Sequence, residues 1–238
     1  MSADPWAVLR GATPARVALG RAGDGLPTAR ELEFRAAHAA ARDAVHEPLD
    51  PALVRAALPR MELLEVASAA RDREEYLQRP DLGRRLTAGT SLPRSDADLA
   101  IVIADGLSPR AVHEHAAAVV TALLARLPGW SVAPVVLATQ ARVALGDEIG
   151  AALGVRAVVV LIGERPGLSA ADSLGIYLTW DARPGRVDAE RNCVSNVRPP
   201  HGLGYGQAAR TVAALLEGAR ALGASGVALK DEGPALPA

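Results

Sequence analysis

Three short aliphatic runs, within DLAIVIADGLS, SVAPVVLATQ and RAVVVLIG, are rich in β-branched residues and free of interior charge, and each finishes against a loop. Between them lie two segments of helical periodicity: AVHEHAAAVVTALLARL, introduced by Ser108 and Pro109 as cap and first helical residue, and GDEIGAALG. This strand-helix-strand-helix-strand order leaves few folds open. It predicts parallel strands with helices covering both faces and right-handed crossovers. SLGIYLTW alternates as an edge strand should, and YGQAARTVAALLEGARALG reads as a closing helix. The expected fold class is α/β, with residues 96–238 forming a Rossmann-like three-layer domain on a mostly parallel sheet.

Residues 1–95 read differently, as a smaller helical N-terminal region. In DPWAVLR, Asp4 is placed as N-cap with Pro5 at the first helical position, and TPARVALG repeats the device with Thr13 and Pro14. Gly20 to Thr28 reads as a loop. A long helix is expected from cap Thr28, with Glu31 at the capping-box position, and shorter helical pieces follow, broken at Pro80 and Gly83.

Composition excludes several classes of function. A formal charge of −1 gives no electrostatic reason to expect nucleic acid or an acidic membrane as partner. A single cysteine, Cys193, rules out an internal disulfide framework and fits a reducing compartment. No apolar run approaches the ~18 residues of a membrane span, and the start MSADPWAVLR lacks the pattern of a secretory signal, so the cytoplasm is the expected location. Aromatic residues make up only 3%, so the core must be built from Ala, Leu and Val.

Loops at strand ends are where an open α/β sheet binds ligands. Asp105-Gly106-Leu107-Ser108 occupies the place of a dinucleotide fingerprint but lacks Gly-x-Gly-x-x-Gly, and no Walker pattern or Gly-x-Ser-x-Gly occurs. GLGYGQ, at Gly202 to Gln207, matches a glycine-rich loop only weakly. Of the five histidines, His113 and His115 lie two apart on a predicted helix and point in different directions, so no metal centre is expected. Cys193 has no paired base in sequence, and Ser195 and Asn196 beside it supply hydrogen-bonding groups. The third strand finishes in Gly163-Glu164-Arg165-Pro166-Gly167, which is either a solvated turn or a ligand loop carrying a carboxylate and a guanidinium. These residues describe ligand-facing loops without catalytic machinery.

The segments DPWAVLR, TPARVALGRAGDG, RPDLGRRL, IVIADGLS, ALGDEIG, LIGERPGL and ERNCVSNVRP occur in an order and spacing that resembles the small (light) subunit of ethanolamine ammonia-lyase, from Asp4 to about Lys230. The resemblance implies an adenosylcobalamin-dependent conversion of ethanolamine to acetaldehyde and ammonia, with the catalytic barrel on a separate large subunit and the two chains in a hetero-oligomer. This chain would hold the cobalamin against that barrel. Carried over by position, the family's cobalamin contacts fall on Val143 in ARVALGDE, Glu164 in GERPG and Cys193 in RNCVSN, with Glu164 accepting hydrogen bonds from cobalamin amides.

Cobalt–carbon homolysis would then supply an adenosyl radical that must be kept from water, a physical reason for enclosing the corrin between two chains. Asp-x-His-x-x-Gly is absent, which implies that the cofactor's own dimethylbenzimidazole stays on cobalt, base-on. The resemblance also implies that enteric members carry a longer N-terminal extension linked to bacterial microcompartment packaging, so a start close to DPWAVLR puts the expected encapsulation in doubt. Two rival readings are a self-sufficient nucleotide-dependent enzyme, which ADGLS does not support, and a purely structural subunit, which cobalamin retention with and without the chain would distinguish.

Overall fold

The computed structural model describes residues 4–13 and 15–230. Its centre is one six-stranded sheet in the order β1-β3-β2-β4-β5-β6, made of β1 (Leu63–Ala67), β2 (Leu99–Ala104), β3 (Val135–Thr139), β4 (Ala157–Gly163), β5 (Leu174–Trp180) and β6 (Arg191–Val197). The pairs β1/β3, β2/β3 and β2/β4 are parallel, while β4/β5 and β5/β6 are antiparallel. The sheet is therefore mixed. β2 and β4 are buried along their whole length, as expected of aliphatic runs covered on both faces.

Alternate residues of these strands enter two separate apolar clusters. One cluster joins Ile101, Ile103, Val159 and Leu161 to Val119 and Leu123 of α6 (Ala117–Leu124) and Val212 and Leu216 of α8 (Tyr205–Leu222). The other joins Val102, Val158 and Val160 to Leu145, Ile149 and Leu153 of α7 (Leu145–Leu153). The loops after β2 and β3 thus leave for opposite faces, which opens a crevice at the carboxyl ends of the parallel strands.

Several expectations are corrected. SLGIYLTW is not an edge strand: β6 pairs outside it. That strand escaped notice because its buried positions are Arg191, Val194 and Val197, without strict alternation, across a register shift between Leu174 and Ile176. Arg191 is tolerated inside because Asp147 on α7 accepts two hydrogen bonds from it, at 2.8 and 2.7 Å, and Thr179 a third at 2.8 Å. The region before residue 95 is not wholly helical, since it contributes β1.

Its helices are α1 (Ala7–Ala12), α2 (Thr28–His46), α3 (Pro51–Ala57) and α4 (Arg73–Gln78). Asp4 bonds the Trp6 N–H at 3.0 Å, one residue before α1, rather than capping at Pro5. No helix follows Thr13; Pro14 lies outside the described residues, and residues 15–20 are irregular. Pro27, not Thr28, is the N-cap of α2, and Glu31 pairs with Arg35 at 2.6 Å instead of closing a capping box. The Gly20–Gly25 loop is a tight turn closed by Ala22 and Gly25.

The predicted cap at Ser108 is present: its hydroxyl accepts the Ala111 N–H at 3.2 Å. The helix it opens runs through α5 (Pro109–Ala111), a π-turn at Val112–Ala116 and α6. No helix among the described residues is long and apolar enough to cross a membrane.

Candidate functional site

The crevice holds an open cavity of about 280 Å³. Its floor is backbone. Gly106 adopts φ +57°, and a Cβ there would stand 2.2 Å from the Gly163 carbonyl oxygen; one at Gly163 would stand 2.0 Å from that of Ser108. Only glycine fits both positions, so the loop after β2 lies flat on the end of β4, where the Leu107 N–H bonds the Gly163 carbonyl at 2.9 Å. Leu107, Val143 and Ile162 give the wall an apolar part. Tyr76, Tyr177, Arg142, Glu164 and Arg165 supply the polar part.

Asp105 fixes this geometry from below. It is 2% exposed, and its carboxylate accepts Arg73 Nη1 at 3.0 Å and the Gln140 and Ala141 N–H groups at 2.8 Å each. One side chain therefore joins the ends of β2 and β3 to the start of α4. Burial pushes the Asp105 carboxyl up, against the pull of Arg73 and of the Ala141, Gln140 and Gly106 N–H groups. Burial likewise lowers Arg73, with Asp105 opposing. Tyr76, fully buried, donates its hydroxyl to the Ala141 carbonyl at 3.0 Å and lies under Arg142, whose guanidinium carbon is 4.5 Å from the ring centre. Arg142 Nε is buried without a hydrogen-bond partner.

Of the residues singled out in the sequence, Val143 and Glu164 line this one cavity. Cys193 does not line it; it lies on β6 directly across from Tyr177, which does. The Cys193 thiol is raised in pKa, first by desolvation and also by the charge of Glu164, while the Tyr177 hydroxyl pulls it down. Tyr177 is raised as well, chiefly by burial. Glu164 is half-buried and well supplied with donors: the Ser173 and Ser195 hydroxyls and the Asn196 N–H at 3.2 Å all bond its carboxylate. With roughly four lone-pair positions on a carboxylate, about one remains for a ligand.

Tyr76, Tyr177 and Arg142 were not singled out from the sequence, whereas Leu107 belongs to the strand-end loop Asp105–Ser108 considered there. The scarcity of aromatics was the usable signal, because two of the three tyrosines meet at this cavity. None of the histidines lines it. His113 Nε2 accepts the Asp50 N–H at 2.9 Å, His115 contacts Tyr205, and His201 is exposed in the turn after β6.

The fold and cavity define an α/β protein with a small, open, mixed apolar and polar crevice at the carboxyl ends of its parallel strands. Residues 3–230 match the family described as "Ethanolamine ammonia-lyase light chain (EutC)", and the chain belongs to that family. Similar proteins include the ethanolamine ammonia-lyase small subunit of Rhodococcus erythropolis, 56% identical over 232 residues that cover 96% of this chain and 90% of the relative. Those of Xanthomonas campestris pv. campestris and Azotobacter vinelandii are each 55% identical over 241 residues, covering 96% of this chain and 88% and 89% of the relatives.

Proposed function

We propose that this chain is the cofactor-holding small subunit of an adenosylcobalamin-dependent ethanolamine ammonia-lyase, which converts ethanolamine to acetaldehyde and ammonia in a cytoplasmic complex with a large catalytic subunit. The observation that carries the reading is the meeting of Val143 and Glu164 in one strand-end cavity, with Cys193 next to it across Tyr177. In this reading residues 96–238 form a Rossmann-like three-layer cobalamin-binding domain, with β1 added from the preceding region.

The residues suit a corrin edge. Leu107, Val143 and Ile162 offer an apolar surface, Glu164 an acceptor for amide N–H groups, and Arg142 and Arg165 donors for peripheral oxygens. A cavity of about 280 Å³ falls just below the roughly 300–1,000 Å³ of drug-sized ligand sites, so a macrocycle finds only one wall here. The second wall is assigned to the large subunit. Trp6, Leu32 and Phe34 are exposed, and α2 buries only Ala44, which leaves apolar surface for such a partner. The chemistry supplied by the bound cofactor is radical generation at its cobalt–carbon bond. The chain's own part is to bind, orient and exclude water.

Glu164 provides the direct test. A hydrogen bond to a charged group is worth roughly 1.5–3 kcal/mol, so Glu164→Ala should weaken cobalamin binding by the two-subunit complex about ten- to a hundredfold. Turnover at saturating cofactor should fall less, since the contact is the same before and during reaction. Unchanged affinity in a fluorescence titration would return Glu164 to a clamp for Ser173, Ser195 and Asn196.

The cofactor is proposed to bind base-on. Among the described residues no histidine lines the cavity, so none stands where it could displace dimethylbenzimidazole from cobalt. In complex whose protein alone carries nitrogen-15, the electron paramagnetic resonance spectrum of bound cob(II)alamin should keep its nitrogen triplets. Doublets would assign a protein imidazole to cobalt and refute the proposal.

A further inference from the structure

We propose that Glu114, His115 and Asp172 bind one first-row divalent cation, zinc foremost. His115 is 5% exposed, and its Nε2 is buried with no hydrogen-bond partner. That atom faces two carboxylate oxygens, Glu114 Oε2 and Asp172 Oδ2, each at 3.8 Å. The other oxygen of each carboxylate is already committed: Glu114 Oε1 accepts Arg110 Nε at 2.7 Å, and Asp172 Oδ1 accepts Arg198 Nε and Nη2 at 3.0 and 2.7 Å. The two arginines thus orient the carboxylates from outside, and the free oxygens are the ones that converge on the imidazole.

On its far side the ring meets Tyr205 Oη, 2.9 Å from Nδ1. With Nδ1–H donating to that hydroxyl, the Nε2 lone pair points at the carboxylates. Three acceptors then face one another, an arrangement that needs a positive charge at its centre. Neither oxygen stands within hydrogen-bonding distance of Nε2, both being at 3.8 Å, which leaves room for an ion between them. Zinc bonds of ~2.0–2.2 Å to His and carboxylate ligands call for only a small contraction from that spacing.

The outer partner on Nδ1 is of the kind that fixes the tautomer of a metal-ligating histidine. Backbone geometry supports the same reading, because Glu114 and His115 lie in the π-turn at Val112–Ala116. A π-turn rotates less per residue than an α-helix, which brings neighbouring side chains toward one side, and such turns are frequent at functional sites. The carboxylates keep the entrance open, with 24% of the Asp172 and 40% of the Glu114 side chain exposed. Val112, Ala116 and Tyr205 pack in the cluster on one face of the sheet, whereas Val143 and Tyr177 pack on the other, so the site stands without the cobalamin reading.

The full chain titrated with zinc chloride against a chromophoric chelator should bind one equivalent with micromolar or tighter affinity. Tyr205→Phe should weaken it about 10–100-fold, as loss of an outer-shell partner does, while Cys193→Ser leaves it unchanged. His115→Gln should abolish the one-to-one phase. Glu114→Gln, at an exposed position, should weaken it strongly and serves if His115→Gln does not fold. A titration without saturable binding, or one-to-one binding that survives in the folded glutamine variants, overturns the proposal.

Discussion

Supplied with saturating adenosylcobalamin but no large subunit, this chain is expected to release no acetaldehyde from ethanolamine, and to confer full activity once the large subunit is added. Enzymes accelerate their reactions by about a million-fold or more, so the difference should be all or none in a coupled alcohol dehydrogenase assay. The titratable groups around the cavity give the reason. Tyr76 and Tyr177 are both pushed above the ordinary tyrosine range, burial being the chief cause, and the Cys193 thiol is raised as well. None of the three is a base or nucleophile near neutral pH. The Glu164 carboxylate is engaged by Ser173, Ser195 and Asn196, and the arginines are binding groups rather than proton carriers. Acetaldehyde produced by this chain alone would refute the division of labour between the two subunits.

The parts legible in the sequence are those in which local pattern and tertiary role agree. β2, β3 and β4 are aliphatic because both their faces are covered, and the Ser108-Pro109 cap marks its helix from neighbouring residues alone. β1 was hidden because MELLEVASAA is rich in good helix formers, and only pairing with β3 makes it a strand. β6 was hidden because its buried Arg191 is explained by Asp147, a partner 44 residues away. The same distinction runs through the site. Glu164 sits at the end of β4, where an α/β sheet places ligands, so position raised it as a candidate, whereas Val143, four residues past β3, came only from the family resemblance. Tyr76 comes from the region before residue 95 and reaches the cavity through a hydrogen bond to Ala141 across 65 residues, which no local spacing encodes. A buried polar contact of that kind becomes visible only when the chain is folded.

Asp105→Ala should be the most damaging single change near the cavity, because it removes a buried anion from three elements at once. Arg73 would keep its hydrogen bonds to the Val45 and Gly106 carbonyls but lose the carboxylate that pairs with it, while its Nη2 has no hydrogen-bond partner among the described residues. The Gln140 and Ala141 N–H groups would lose their acceptor at the start of the segment that carries Arg142 and Val143. Breaking a buried ion pair from one side costs about 3–5 kcal/mol, which in a protein of this size lowers the melting temperature by roughly 6–20 °C. Asp105→Asn should recover little, since it restores one oxygen but not the charge. Cobalamin affinity of the complex should fall further than in Glu164→Ala, because the loop after β3 and Tyr76 shift together. Thermal unfolding followed by circular dichroism measures the first effect and cofactor titration the second. A shift of under about 2 °C would mean that the pair is worth no more than the 0–1 kcal/mol of a surface ion pair, and that the cavity owes its shape to Gly106 and Gly163 instead.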